Sequence, residues 1–359
     1  MIRSLIFRDF SFHRISLVSL PYFLYRFKTM KKTVFLLCWS ILCLSACKNR
    51  QQTVAVAETD IPVANVTFSG DSAFQHVVRQ CDFGPRIPGS EAHSLCADYI
   101  VTTFRNYGLT VQEQNPMLTT WDGQSFRARN IIASHRPEAA DRILLCAHWD
   151  CRPWCDADAD EKNHRQPVLG ANDGASGVAV MLELARQIDS IAPQLGVDFV
   201  CFDLEDYGVP YWASDKDPLD GSDWCLGSRY WAQHPHVEGY AARFGVLLDM
   251  VGGKGAEFRY EGYSLKYAQP VVIKIWEAAR RIEKDAYFIA EDGGWATDDH
   301  VPVNELLGIP TADIIPHHMN TNSSFGPTWH TVDDTPENIS SATLQAVGQT
   351  LVQLLIHEK

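Results

Sequence analysis

Strand-like runs recur along this chain at LTVQEQ, ARNIIAS, RILLCAH, VDFVCFD and FGVLLDM. Several are dense in Val, Ile, Leu or Phe, as buried strands of a parallel sheet are. Apolar positions at helical spacing fill the intervals near GVAVMLELARQI and YAQPVVIKIWEAARRI, and SATLQAVGQTLVQLLIH closes the chain as an amphipathic helix. Upstream, PRIPGSEAHSLCADYIVTTFRNYG begins at Pro88-Gly89-Ser90, which supplies an N-cap, and stops at Gly108. Strands alternating with helices predict an α/β fold, a single domain whose central mixed, largely parallel twisted sheet is flanked by helices. The hydrophilic stretches 211–222 and 317–327 read as long loops at the functional face.

The N-terminal stretch breaks this pattern. Met30-Lys31-Lys32 precedes the apolar run TVFLLCWSILCL, too short to span a bilayer comfortably, and Leu44-Ser45-Ala46-Cys47 closes it with small residues before a cysteine. The segment resembles a bacterial lipoprotein signal with Cys47 as the lipidated residue; an ordinary signal peptide or a membrane anchor is the alternative. Residues 1–29 precede a second candidate start at Met30. The organisation expected is therefore a 1–47 extension and signal, a 48–66 linker and a 67–359 catalytic domain, exported to the periplasm and anchored to the membrane through Cys47.

Of the 31 basic and 44 acidic residues, 7 and 1 fall within residues 1–47, which leaves the remainder at a net charge of −19. So acidic a surface with no basic stripe excludes nucleic acid as a partner. Seven cysteines follow Cys47, an odd number, and the Cys151-x3-Cys155 spacing lacks the paired knuckles of structural zinc. They read as small buried residues, with room for one or two bridges.

Metal-type side chains stand mostly at the ends of the apolar runs: His148 and Asp150 in CAHWD, Asp173 in GANDGASG, Glu205 and Asp206 in FDLEDYG, Asp249 in LLDMVGG, and His330 in PTWHTVDD. Strand ends of an open α/β sheet converge on one crevice. Zinc takes His nitrogen and carboxylate oxygen, and a catalytic site keeps one position open. Asp173, Asp206 and His330 are the three-ligand set these residues best support. Glu205, adjacent to Asp206, points elsewhere and is free to shuttle protons. Taken alone, Asp173 would be a helix cap, and the acidic pair a solvated turn.

HWD, GANDGASG, ED, LLDMVGG, TDDH and WHT, in that order from about Phe83 to Ile356, resemble the zinc-dependent aminopeptidase clan. Within it they are most similar to the glutaminyl cyclases of animal type and their exported bacterial relatives. The resemblance implies a choice. In the aminopeptidases, residues matching His148 and Asp249 hold a second zinc, Asp173 bridges, and Asp150 orients the histidine. In the cyclases one zinc works alone, and an acidic residue matching Asp298 shares a proton with the one matching Asp249, weakening it as a ligand. Trp329 and Phe325 match cyclase pocket residues; Tyr211, or Trp212 beside it, matches another, and Trp149 joins the candidate wall. Trp224 and Trp231 read as core.

The resemblance therefore implies an enzyme that closes an N-terminal glutamine of peptides and proteins onto itself, releasing ammonia, with one Zn2+, Glu205 as the proton carrier, and Asp249 and Asp298 supporting the reacting centre. Two departures stand out. Asp206 replaces the Glu of the animal enzymes, and the 317–327 loop is not their form. A two-zinc aminopeptidase is the runner-up. A silent binding module on the same fold is disfavoured, since no ligand is lost. Oligomeric state and physiological substrates stay open.

Overall fold

The computed structural model describes residues 62–358 apart from 193, 320 and 322. The chain divides into Met1–Asp60 and Ile61–Lys359, and the described residues belong to the second unit. The signal, Cys47 and most of the expected linker lie outside them. No helix among the described residues is long and apolar enough to cross a membrane.

Helices α1 (Gly70–Cys81) and α2 (Glu91–Asn106) precede β1 (Thr110–Gln114), the small hairpin β2 (Met117–Thr119) and β3 (Ser125–Arg127), then β4 (Asn130–His135) and β5 (Arg142–His148). α3 (Ala175–Arg186) leads to β6 (Gly196–Phe202), and α4 (Leu226–Gln233) to β7 (Gly245–Leu248). β8 (Phe258–Tyr260), α5 (Gly262–Arg281) and β9 (Phe288–Asp292) follow, then β10 (Thr311–Ile314) and α6 (Ser341–Ile356).

Side-chain caps set several helix starts. Ser69 accepts from the Ser72 N–H at 3.1 Å, Ser90 from the His93 N–H at 3.1 Å, and Ser340 from the Thr343 N–H at 3.3 Å. The last residues of the expected linker dock on α6, where the Ala64 N–H donates to Gln353 Oε1 at 2.8 Å.

Six strands form the main sheet in the order β1-β4-β6-β5-β7-β10. β1, β4 and β6 pair antiparallel, whereas β6, β5, β7 and β10 run parallel, so the sheet is mixed as the pattern predicts. Alternate residues sort to its two faces. Ile143, Leu145 and Ala147 enter the core shared with α1, α3 and α6, while Leu144 and Cys146 meet Trp231, Tyr240 and Val303 on the other side. Each such fully buried aliphatic side chain stabilises the fold by about 1.5–3 kcal/mol. All seven described cysteines are buried, as the sequence reads them, and none of them is bridged.

Candidate metal centre and active site

Parallel β5, β6, β7 and β10 bring their carboxyl ends to one edge, and the polar residues that follow them meet there. His148 ends β5, Glu205 and Asp206 follow β6, and Asp249 follows β7. Asp173 stands in the turn before α3, and His330 arrives on the loop before α6. Gly174 is required in that turn, because a Cβ there would lie 2.5 Å from the His148 carbonyl and 2.7 Å from its ring.

Asp173 joins two compact groups. Its Oδ2 lies 3.6 Å from His330 Nε2, which is itself 3.2 Å from Asp206 Oδ1. Its Oδ1 lies 2.9 Å from His148 Nε2, which is 3.2 Å from Asp249 Oδ1. In each triad the ligand-type atoms all fall within 4.8 Å of one another. The histidines are aimed alike: the Nδ1 of His148 faces Asp150 at 3.5 Å and that of His330 faces Asp156 at 3.5 Å, leaving both Nε2 atoms toward the centre. Asp206 Oδ2 is buried with no hydrogen-bond partner among the described residues, an orphaned oxygen that suits a cation. The donor set, two carboxylates and an imidazole nitrogen, fits zinc.

The electrostatics describe an electron-rich hole. Burial, with the charges of Asp206 and Asp298 added and His148 opposing, lifts the Glu205 carboxyl well above its usual range. Burial also raises Asp206. Asp173 falls below its ordinary value, since the hydrogen bond and charge of His148, with the charge of His330, overcome burial. Burial raises Asp249 to about 6, and burial together with the Asp249 charge raises Asp298 to about 7. Both line the same cavity, and the Asp249 charge is felt at Asp298.

A cavity of about 300 Å³ opens on this centre, walled by Trp224, Met250, Trp295, Ile315, Phe325 and Trp329 and floored by Glu205, Asp249 and Asp298. Phe325 and Trp329, expected from the sequence, lie together with ring centroids 5.1 Å apart. Trp329 stacks on His330 with ring centroids 3.7 Å apart, and Trp224 lies nearly parallel to the same ring at 6.2 Å.

Two expected wall residues are not there. Trp149 is fully buried, stacked on His93, with its indole N–H donating to the Arg129 carbonyl at 3.1 Å. It is core because alternation past the end of β5 turns it away from His148 and Asp150. Tyr211 is 60% exposed and borders a neighbouring chamber with Asp156 and Trp329. Trp224, read as core, is a wall, whereas Trp231 is core as expected.

The sequence reading also missed supports that carry no motif. Asp334 accepts the N–H groups of Asn172 and Asp173 at 2.7 and 3.1 Å. Arg152 grips Asp156 through two 2.7 Å hydrogen bonds and reaches Asp206 Oδ1 at 3.4 Å. Glu261 caps α5 through Tyr263 and Ser264, and binds the Ala296 N–H and His300 Nε2 at 3.1 and 2.9 Å, which fixes the loop carrying Asp298.

The family model of Peptidase family M28 matches residues 130–355. The chain belongs to this family. M28 is zinc-dependent, and His148, Asp173 and Asp249 form one of the candidate metal positions of this member. Among solved structures, glutaminyl cyclase of Bacteroides thetaiotaomicron bound to N-acetylhistamine is 47% identical with a TM-score of 0.80, covering 82% of this chain and 99% of that one. A leucine aminopeptidase precursor of the same organism is also 47% identical, with a TM-score of 0.79 and coverage of 83% and 100%. Among curated relatives, glutaminyl-peptide cyclotransferase of Bos taurus is 27% identical over 254 residues, 62% of this chain. The chain spans 64% of that relative's length and 44% of another's. Its close structural neighbours are thus bacterial glutaminyl cyclases and peptidase-named M28 proteins on the same α/β fold.

Proposed function

We propose that this M28 member is a glutaminyl-peptide cyclotransferase, converting the N-terminal glutamine of peptides and proteins to pyroglutamate with release of ammonia. The observation that carries the reading is the aromatic slot of about 300 Å³ set directly over Asp173, Asp206 and His330, with the raised carboxyl of Glu205 on its floor. At that size it suits one glutamine side chain folded back on its own amine. The cyclase relatives support the same reading.

Asp173, Asp206 and His330 would hold a single zinc. When bound, the ion polarises the γ-amide carbonyl and offsets the charge that grows on its oxygen. Trp329, Phe325 and Trp224 orient the substrate and exclude water. The α-amine forms the new C–N bond to the γ-carbonyl carbon, Glu205 takes the proton that the amine loses, and the same proton passes to the leaving nitrogen as the old C–N bond breaks. Asp298 and Asp249, both raised in pKa on the floor of the slot, are placed to support the reacting centre.

The His148, Asp173 and Asp249 triad is as compact as the first, which favours a two-zinc aminopeptidase as the second reading. Glutamine β-naphthylamide separates the two. Release of ammonia with the naphthylamide bond intact is the expected result; free naphthylamine would replace the cyclase by the peptidase. The basic-apolar segment ending at Cys47 supports export with a lipid anchor, to be tested by incorporation of labelled palmitate that a Cys47→Ala change abolishes.

A further inference from the structure

Cys225 is fully buried and makes a contact that neither metal triad explains: its Sγ–H donates to Glu205 Oε1 at 3.4 Å. The backbone brings the pair together. The Cys225 N–H donates to the Glu205 carbonyl at 3.0 Å and the Leu226 N–H to the Leu204 carbonyl at 2.9 Å, so the segment entering α4 is paired with the one leaving β6. The Glu205 N–H in turn donates to Asp150 Oδ1 at 3.2 Å. With its N–H and its carbonyl both held, Glu205 has only side-chain torsions left to aim its carboxyl. Its Oε2 lies 3.9 Å from His148 Nδ1, beyond hydrogen-bond reach.

A side chain at position 225 has a conformational cost. The φ of +58° lies in the left-handed region, where glycine sits without strain, and a plain turn there would need no thiol. Burial, with the charges of Glu205, Asp299 and Asp298 added and Arg229 opposing, raises the thiol well above its ordinary value, so it stays S–H, a donor rather than a thiolate. A thiol is also a weak donor. It fixes where a carboxylate points while leaving most of the basicity that a proton carrier needs, whereas a lysine or arginine in its place would stabilise the ionised form strongly.

We propose that Cys225 is a positioning residue for the proton carrier: its S–H holds Glu205 Oε1 and leaves Oε2 as the oxygen that takes the proton from the amine and passes it to the leaving nitrogen. The role rests on the cyclase reading and adds to it a side chain that touches neither metal nor substrate.

Cys225→Ala and Cys225→Ser, assayed on glutamine β-naphthylamide, test it. Alanine removes the donor and should lower kcat by about three- to tenfold at unchanged KM, as loss of one ordinary hydrogen bond does. Serine keeps an O–H and should recover most of that loss. Packing alone would give the reverse order, because alanine leaves only a small void while serine buries a hydroxyl. In a Glu205→Gln background, where no proton carrier remains to be aimed, Cys225→Ala should cause no further loss of kcat. An alanine variant as fast as wild type, a serine variant slower than alanine, or a further loss in the Glu205→Gln background overturns the role. Naphthylamine in place of ammonia overturns the cyclase reading instead, and the order of the two variants, measured on that product, still decides what Cys225 does.

Discussion

Asp334 accepts the backbone N–H of Asp173 at 3.1 Å, which ties the turn bearing the residue common to both triads to the loop that delivers His330. The carboxyl also takes the Asn172 N–H; burial, then the Asp173 charge, push it up to about 7 against the two amides and the charge of Arg86. Removing it frees two buried amides and lets the Asp173 carboxylate drift. Asp334→Ala is expected to weaken zinc binding by about 10–100-fold, as loss of an outer support of a metal ligand does. Competition against a chromophoric chelator measures this, and an affinity equal to wild type would show that the turn holds itself.

Glu205 lines the slot without belonging to either of the triads that share Asp173. Glu205→Gln keeps the shape and hydrogen-bonding reach of the side chain but cannot accept a proton. It is expected to retain its metal while kcat falls by about 10²–10⁴-fold. Elemental analysis alongside single-turnover rates checks both halves, and turnover near wild type would reassign the proton carrier.

The two triads give opposite forecasts for metal content. With one zinc on Asp173, Asp206 and His330, the purified protein carries one equivalent, Asp206→Ala and His330→Ala lose it, and His148→Ala keeps it. Chelation should abolish activity and a single equivalent of zinc restore it. Two equivalents in the wild type, with one lost in His148→Ala, would move the protein to the two-zinc class.

Much of this centre was legible because chemistry and periodicity coincide: an apolar run that stops at a His or Asp marks a strand end, and strand ends of a parallel sheet share an edge. β5, which ends at His148, and β6 and β7, with Asp206 and Asp249 after them, follow that rule. β10 did not, because Thr311 and Asp313 break its apolar run, although both are buried. Asp334 and Glu261 work on backbone amides remote in sequence, and such contacts leave no periodic trace. Trp149 and Trp224 exchanged roles because position within a motif does not fix which side of the chain faces the cavity.

Glu261 makes part of the stability depend on pH. Burial would raise its carboxyl, but the hydrogen bond and charge of His300 and the Ser264 and Tyr263 amides prevail, and it is lowered to about 2. A depressed folded value means stability that is complete above the ordinary value of 4.5 and is lost as pH falls from there toward 2. The contribution is on the order of 3 kcal/mol. Denaturation midpoints between pH 5 and 2.5 should therefore fall less steeply in Glu261→Gln than in wild type, and equal slopes would assign the acid sensitivity to other carboxylates.

At the opposite end of the sheet, Asp198 on β6 accepts two 2.6 Å hydrogen bonds from Arg142 and one of 2.8 Å from the Tyr240 hydroxyl. Asp198 is fully buried and Arg142 nearly so, which makes breaking the pair costlier than replacing it. Asp198→Ala leaves a guanidinium without its partner and should destabilise by about 3–5 kcal/mol, whereas Asp198→Leu combined with Arg142→Met should recover a large part of that loss. Urea denaturation of the two variants decides the point. A double variant no more stable than Asp198→Ala would mean that the pair fixes the register of β4, β5 and β6 rather than merely neutralising itself.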